Sequence, residues 1–182
     1  MSFDPIPAID LLNGKAVRLA QGDFRKVKIY HNNPVELAQR FADHGIRRMH
    51  LVDLEGARSQ SLHALITLEE IMKETDLAID FGGGLQNAED LQRIFDAGAS
   101  YASVGSVAAQ DPNLFLSWLE EFGPELIILN ADNKNGKVAV RGWQETVDQN
   151  LEDYIQDYVE DGVTQVLATD VSRDGMQKGP NL

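Results

Sequence analysis

Short apolar runs recur along the chain, separated by stretches in which apolar residues return every three or four positions. Residues 6–9, 48–52, 77–81, 101–104, 126–131 and 165–169 each read as a strand, and most carry consecutive apolar residues, as parallel strands covered on both faces do. The intervening segments have helix signals. Asn33-Pro34 supplies a cap and a first-turn proline, Leu37, Ala38, Phe41 and Ala42 form a stripe, and Gly45 stops it. Asn87, with Asp90 three residues on, opens a helix closed by Gly98; Asp111-Pro112 opens another. Residues 148–162, with Leu151, Ile155 and Val159 at helical spacing, and residues 62–73 predict two more. Residues 14–33 are long for a strand-to-helix connection and read as either a functional cover or ordered packing.

Six strands alternating with helices predict a parallel α/β fold. The pattern also repeats. Asp10-Leu11-Leu12-Asn13-Gly14-Lys15 is echoed by Asp132-Asn133-Lys134-Asn135-Gly136-Lys137, and Leu51-Val52-Asp53-Leu54 by Ala168-Thr169-Asp170-Val171, in the same order and at nearly the same offset. That predicts a duplicated half of about 120 residues with four βα units each, and so a (β/α)8 barrel rather than an open sheet. Such barrels need at least ~200 residues. The expectation is therefore a single TIM-barrel domain with about six of its eight βα units: residues 1–122 as the first half and 123–182 as the start of the second. Strands one and six would then be bare edges, inviting self-association.

Composition narrows the function. The 182 residues are 43% apolar, hold no cysteine and carry a net charge of −13. That charge argues against nucleic acid, whose binding depends on clustered Lys and Arg. No run approaches the ~18 apolar residues of a membrane span, so no membrane partner is expected. Without a disulfide framework or a signal-peptide pattern, the plain expectation is a cytoplasmic protein.

Two carboxylates are the first candidates for chemistry. Asp10 and Asp132 each end an apolar strand, at matched positions of the two halves. Strands one and five of a barrel face each other across its mouth, so one carboxyl group could take a proton while the other gives one. The alternative is that each caps a turn. Gly82-Gly83-Gly84 follows a strand and precedes a helix, and Gly105-Ser106 follows the next strand; together they could close on a phosphate or simply make tight turns. Thr169, Asp170, Asp174 and Gly175 could hold sugar hydroxyls or form a polar turn. His50 lies inside an apolar strand, as a core histidine or one that reaches the mouth. His31, His44 and His63 show no metal-ligand spacing, and no metal is expected. Trp143 could stack on a planar group or cover the rim.

These residues together resemble the histidine-biosynthesis isomerases that convert a phosphoribosylformimino aminoimidazole carboxamide ribotide from aminoaldose to aminoketose. The supporting segments are residues 6–10, 14–19 and 21–23, with Tyr30 and Pro34, His50-Leu51-Val52-Asp53-Leu54, Gly82-Gly83-Gly84, residues 136–143 and residues 169–175. The resemblance implies an Amadori rearrangement of a small bis-phosphorylated substrate without metal or organic cofactor. It makes Asp10 the acceptor of the C2 proton, Asp132 the donor to the ring oxygen, and Thr169 a third catalytic residue. It places His50, Arg18, Trp143 and Asp174 on the substrate and one phosphate on Gly82, Gly83, Gly84, Gly105 and Ser106. The second phosphate would belong to strands seven and eight, and the isolated chain is expected to bind and turn over poorly. Gln86 stands where many relatives carry a basic residue. The related cyclase subunit fits less well, since it tends to carry cysteine at the position of Ala8 and lysine at that of Arg18. A non-catalytic, self-assembling fragment and an isomerase that also serves the tryptophan pathway are the rival expectations.

Overall fold

The computed structural model describes residues 4–140 and 143–176. They form two compact units. The first holds the described residues through Arg18 together with Lys28–Ala102, and the second holds Leu19–Val27 together with the described residues from Ser103 on.

The first unit is built on parallel strands. Strand β1 (Ala8–Leu12) pairs in parallel with β4 (Arg48–Asp53), which pairs in parallel with β5 (Ala78–Gly82). On its other side β1 turns back through Asn13 and Gly14 into the antiparallel β2 (Lys15–Ala20). Both turn residues are left-handed (φ 52° and 69°), the backbone of the two-residue hairpin turn that Asn-Gly favours. Along β4, Met49, Leu51 and Asp53 are buried while Arg48, His50 and Val52 are less so, so one face packs under helices and the other carries polar groups.

Helix α1 (Pro34–Asp43) starts where Asn33 accepts from the N–H groups of Val35 and Glu36. Helix α4 (Ala88–Asp96) starts where Asn87 Oδ1 accepts from Asp90 N at 2.9 Å. Between them lie α2 (Leu54–Ser59) and α3 (Leu65–Glu74). Their inward residues Ala38, Leu68, Ile71, Leu91 and Ile94 are fully buried, as are Met49, Leu51, Ile79 and Phe81 of the strands.

The second unit repeats the strand–helix alternation. Strand β6 (Tyr101–Val104), along which the chain enters this unit, is followed by α5 (Ser106–Gln110), α6 (Pro112–Phe122) and β7 (Ile127–Asn130). After the excursion β8 (Asp132–Lys134), β9 (Lys137–Val140), β10 (Glu145–Asn150) come α7 (Leu151–Glu160) and β11 (Val166–Leu167). Strand β11 pairs in parallel with β7, and β8, β9 and β10 make a separate antiparallel sheet. Phe115 and Tyr158 meet edge to face at 5.1 Å, Tyr154 and Tyr158 at 5.0 Å, and all three are buried.

Two expectations are corrected here, and one helix is added. Residues 14–33 are no loop: β2 turns at Gln21 and Gly22 (φ 52° and 71°) into β3 (Asp23–His31). The helix expected from residue 148 begins at Leu151, because Asn150 accepts from the N–H groups of Glu152 and Asp153. Residues 145–150 pair with β9 instead, and Lys137 Nζ holds Asp148 at 2.6 Å. Helix α2 was not foreseen: it has no apolar stripe and starts because Asp53 Oδ1 accepts from Gly56 N at 2.7 Å.

Two predictions follow from the buried polar groups. Asp53 is 1% exposed, and its Oδ2 also accepts from His63 N at 2.6 Å and Ala64 N at 2.9 Å. Asp53→Ala strands three backbone donors and is expected to cost about 3–5 kcal/mol, read from the denaturant midpoint. Burial pushes the Tyr158 phenol up to about 12, and its hydroxyl donates to Ala108 O at 2.6 Å. Ionisation is thus resisted in the fold but not in the unfolded chain. Stability should hold up to about pH 10 and fall as pH rises toward 12, and the fall should be shallower in Tyr158→Phe.

Candidate active site

Each unit presents one aspartate on the same piece of structure. In the first, Asp10 pairs with Val17, Leu11 with Ala16 and Leu12 with Lys15, closed by Asn13-Gly14. In the second, Asp132 pairs with Ala139, Asn133 with Val138 and Lys134 with Lys137, closed by Asn135-Gly136 (φ 57° and 83°). The parallel neighbour matches too: Leu11 pairs with Asp53, and Asn133 bridges to Asp170. The echo in the sequence is therefore an echo of backbone register. Neither aspartate ends its strand, as the sequence reading had it. Asp10 is the middle residue of β1, and Asp132 opens β8 after β7 has closed at Asn130.

The two carboxylates have unlike surroundings. Asp10 Oδ2 lies 3.9 Å from Arg18 Nη1, at the reach limit of an ion pair. Asp132 is 9% exposed, and Trp143 Nε1 donates to its Oδ2 at 2.7 Å. Trp143 is clasped from other sides as well. Lys134 Nζ donates to its carbonyl at 2.7 Å, its φ is 68°, and a Cβ on Gly22 would sit 2.5 Å from its Cε3. Gly22 is thus the one residue type that admits the indole there. Arg141 and Gly142, which complete the Arg-Gly-Trp segment, lie outside the described residues.

The loop after β11 belongs to the same unit. Thr169 O accepts from Asn133 N at 2.7 Å, and Asp170 Oδ1 accepts from Ser172 N and Oγ at 2.9 and 2.6 Å. Asp174 N donates to Asp170 O at 3.0 Å, and its carbonyl accepts from Gln21 N at 3.3 Å. Gly175 (φ 72°) closes the turn against Leu19 O. Thr169 and Asp174 are therefore half-buried on a loop braced by Asn133 and Gln21.

The glycine run has a packing cause that the sequence did not disclose. A Cβ on Gly83 (φ 100°) would lie 2.2 Å from Asp53 O, and one on Gly84 (φ 85°) 2.5 Å from Ser61 O. Both are required by the close approach of backbone to backbone, whatever else they do. Gly82 ends β5 opposite Val52. Gln86 N donates to Asp90 and its Nε2 to Leu85 O, so its side chain folds onto its own backbone. Gly105 caps α5 and packs toward Asn130 O, and Ser106 is that helix's first residue.

His50 is not isolated. Its Nδ1 hydrogen-bonds Asp80 Oδ1, Arg48 Nε lies 3.4 Å from Asp80 Oδ2, and the Arg48 guanidinium stacks 4.3 Å from the Tyr101 ring centre. Sequence reasoning missed Arg48 and Asp80. Their signal was the alternation of polar positions 48 and 50 beside an aspartate two residues ahead of the glycines. Among the described residues no group of three His, Cys, Asp or Glu side chains could hold a metal ion, and no helix is long and apolar enough to cross a membrane.

Comparison with known proteins fits this layout. Residues 5–182 match the profile of a family described as histidine biosynthesis protein. The chain is 50% identical over 177 residues to the 1-(5-phosphoribosyl)-5-((5-phosphoribosylamino)methylideneamino) imidazole-4-carboxamide isomerase of Phocaeicola vulgatus, covering 97% of this chain and 74% of that protein. Proteins of the same name from Cytophaga hutchinsonii and Parabacteroides distasonis are each 48% identical, with the same coverage. A profile that spans nearly all of the sequence, near-half identity throughout, and a hairpin used twice in one register leave a single assignment: this chain belongs to the histidine biosynthesis protein family, a family of (β/α)8 barrels.

Proposed function

We infer that the chain is an aldose–ketose isomerase of histidine biosynthesis, catalysing the Amadori rearrangement of a bis-phosphorylated aminoaldose ribotide. The observation that carries the reading is the matched pair of hairpins, each offering one aspartate, in a chain about half identical to isomerases of that name. The fold that goes with it is a (β/α)8 barrel to which the described residues contribute six βα units, in a cytoplasmic protein.

The reaction moves protons only. Asp132 donates to the ring oxygen as the C1–O bond breaks, and the nitrogen lone pair at C1 leaves a protonated imine. Asp10 then takes the C2 proton, and the electrons of the C–H bond form an enaminol. Asp10 returns a proton to C1 while the C2 hydroxyl gives up its own to the carboxylate left on Asp132, which yields the ketone and restores both side chains. The sum is redox-neutral and conserves every atom, so two carboxyl groups in different protonation states are sufficient. Their surroundings support a division of labour. Asp10 Oδ2 lies 3.9 Å from Arg18, whereas Asp132 is nearly buried and accepts from an indole N–H, so the two carboxyl groups do not share one environment. Thr169 and Asp174 serve the reacting ribose, with Arg18, His50 and Trp143 on the remainder of the substrate. In the same reading Gly82, Gly83 and Gly84 are phosphate-binding residues through their backbone N–H groups, and Gly105 and Ser106 are assigned phosphate binding too.

Purified chain incubated with the aminoaldose ribotide should form the aminoketose, slowly and with weak binding, as expected where only one phosphate is held. Asp10→Asn and Asp132→Asn should each lower kcat by about 100-fold or more with the melting temperature held within a few degrees. Unchanged turnover in either variant removes that residue's assigned role. Absence of turnover in the unsubstituted chain refutes the reading as a whole.

A further inference from the structure

The group around His50 lies on the same sheet of the first unit as Asp10. His50 pairs across to Ala8 on β1 and Asp80 on β5, and two residues on Val52 pairs with Asp10 and Gly82. His50 therefore shares a sheet face with Asp10 and the start of the glycine turn, one rung or about 6.6 Å back along the strands. Its side chain is 14% exposed, and Nε2 makes no hydrogen bond to another described residue.

Asp80 is buried, 4% exposed at its side chain, and each oxygen has one direction of use. Oδ2 faces Arg48 Nε, which can only donate, and Oδ1 faces His50 Nδ1. An ionised carboxylate can only accept, so the proton of that contact sits on Nδ1. The neutral ring then offers Nε2 as an acceptor. Tyr101 stacked on the guanidinium keeps Arg48 from turning away.

We propose that Asp80, braced by Arg48, is a positioning residue that fixes His50 in its Nδ1–H form so that Nε2 accepts a hydrogen bond from a sugar hydroxyl of the phosphorylated substrate. This rests on the isomerase reading. Arg48 makes the idea sharply testable. In Asp80→Asn the amide oxygen is drawn to the Arg48 N–H, and the amide NH2 turns to His50. Nδ1 must then accept, and the proton moves to Nε2, exchanging the acceptor that meets the hydroxyl for a donor. Shape and volume barely change.

The test is long-range proton–nitrogen NMR of histidine-labelled protein at alkaline pH, alongside kinetics. The unsubstituted protein should show Nδ1–H, and Asp80→Asn should show Nε2–H. Asp80→Asn should lower kcat/KM by about tenfold, the worth of one good hydrogen bond, chiefly through KM. His50→Gln should lower it similarly, and adding Asp80→Asn to His50→Gln should lower it no further. An Nε2–H ring in the unsubstituted protein overturns the proposal without any variant being needed. So does an unchanged tautomer in Asp80→Asn, or a full additional loss in the double variant, which would make Asp80 a matter of folding alone. If the unsubstituted protein forms no aminoketose, the isomerase reading fails, and the tautomer measurement still decides whether Asp80 sets the His50 ring.

Discussion

Three backbone N–H groups converge on one buried carboxylate, that of Asp53, and much of the first unit is arranged around that convergence. Oδ1 starts α2 at Gly56, and Oδ2 ties down His63 and Ala64, which lead into α3. The main chain of the same residue leaves no room for a side chain at Gly83. A charge this deep is tolerable only because every contact is a donor, and a hydrogen bond to a charge is worth more than a neutral one. The geometry of the β4 end, the helix after it and the glycine turn of β5 is thus one problem with one solution.

The two hairpins share one backbone and differ in the chemistry around it. The hairpins share register, turn and even a left-handed residue after the second strand: Gln21 at φ 52° and Trp143 at φ 68°. Yet the first half uses its position for an amide that donates to Ser172 O, and the second for an indole that donates to Asp132. Where the first half has Arg18 after Val17, the second has Val140 after Ala139. The carboxylates are equivalent by backbone and distinct by neighbour, as the proposed division into acid and base requires.

Much of this was legible in the sequence, for reasons that are local. Asn33, Asn87 and Asp111 cap helices where the sequence put them, because a side-chain acceptor two or three residues from the N–H it binds needs no tertiary information. The repeat revealed both aspartates because register is carried by the Asn-Gly turns. What was missed is non-local or too short for a period. The β2–β3 hairpin hides its alternation under Arg25, Lys26 and Lys28, and α2 is held by a cap rather than by an apolar stripe. Residues 145–150 are strand only because β9 lies beside them. The His50–Asp80 contact joins residues 30 positions apart that only the β4–β5 register brings together.

The glycine run shows why a motif and its cause must be separated. Gly83 and Gly84 would be required by Asp53 and Ser61 even in a protein that bound no phosphate, so their presence in the sequence weighs little for an anion. Their placement weighs more. The register that seats Gly82 opposite Val52 also seats Asp80 opposite His50, so the turn and the charged rung are built on the same two strands. A shift of β5 against β4 by one residue would turn Asp80 to the helix side and carry the glycines away from Asp53. In the proposed enzyme the contact to the sugar and the seat of a phosphate are therefore not independently adjustable: the backbone approach at Asp53 locks the register, and the register places both.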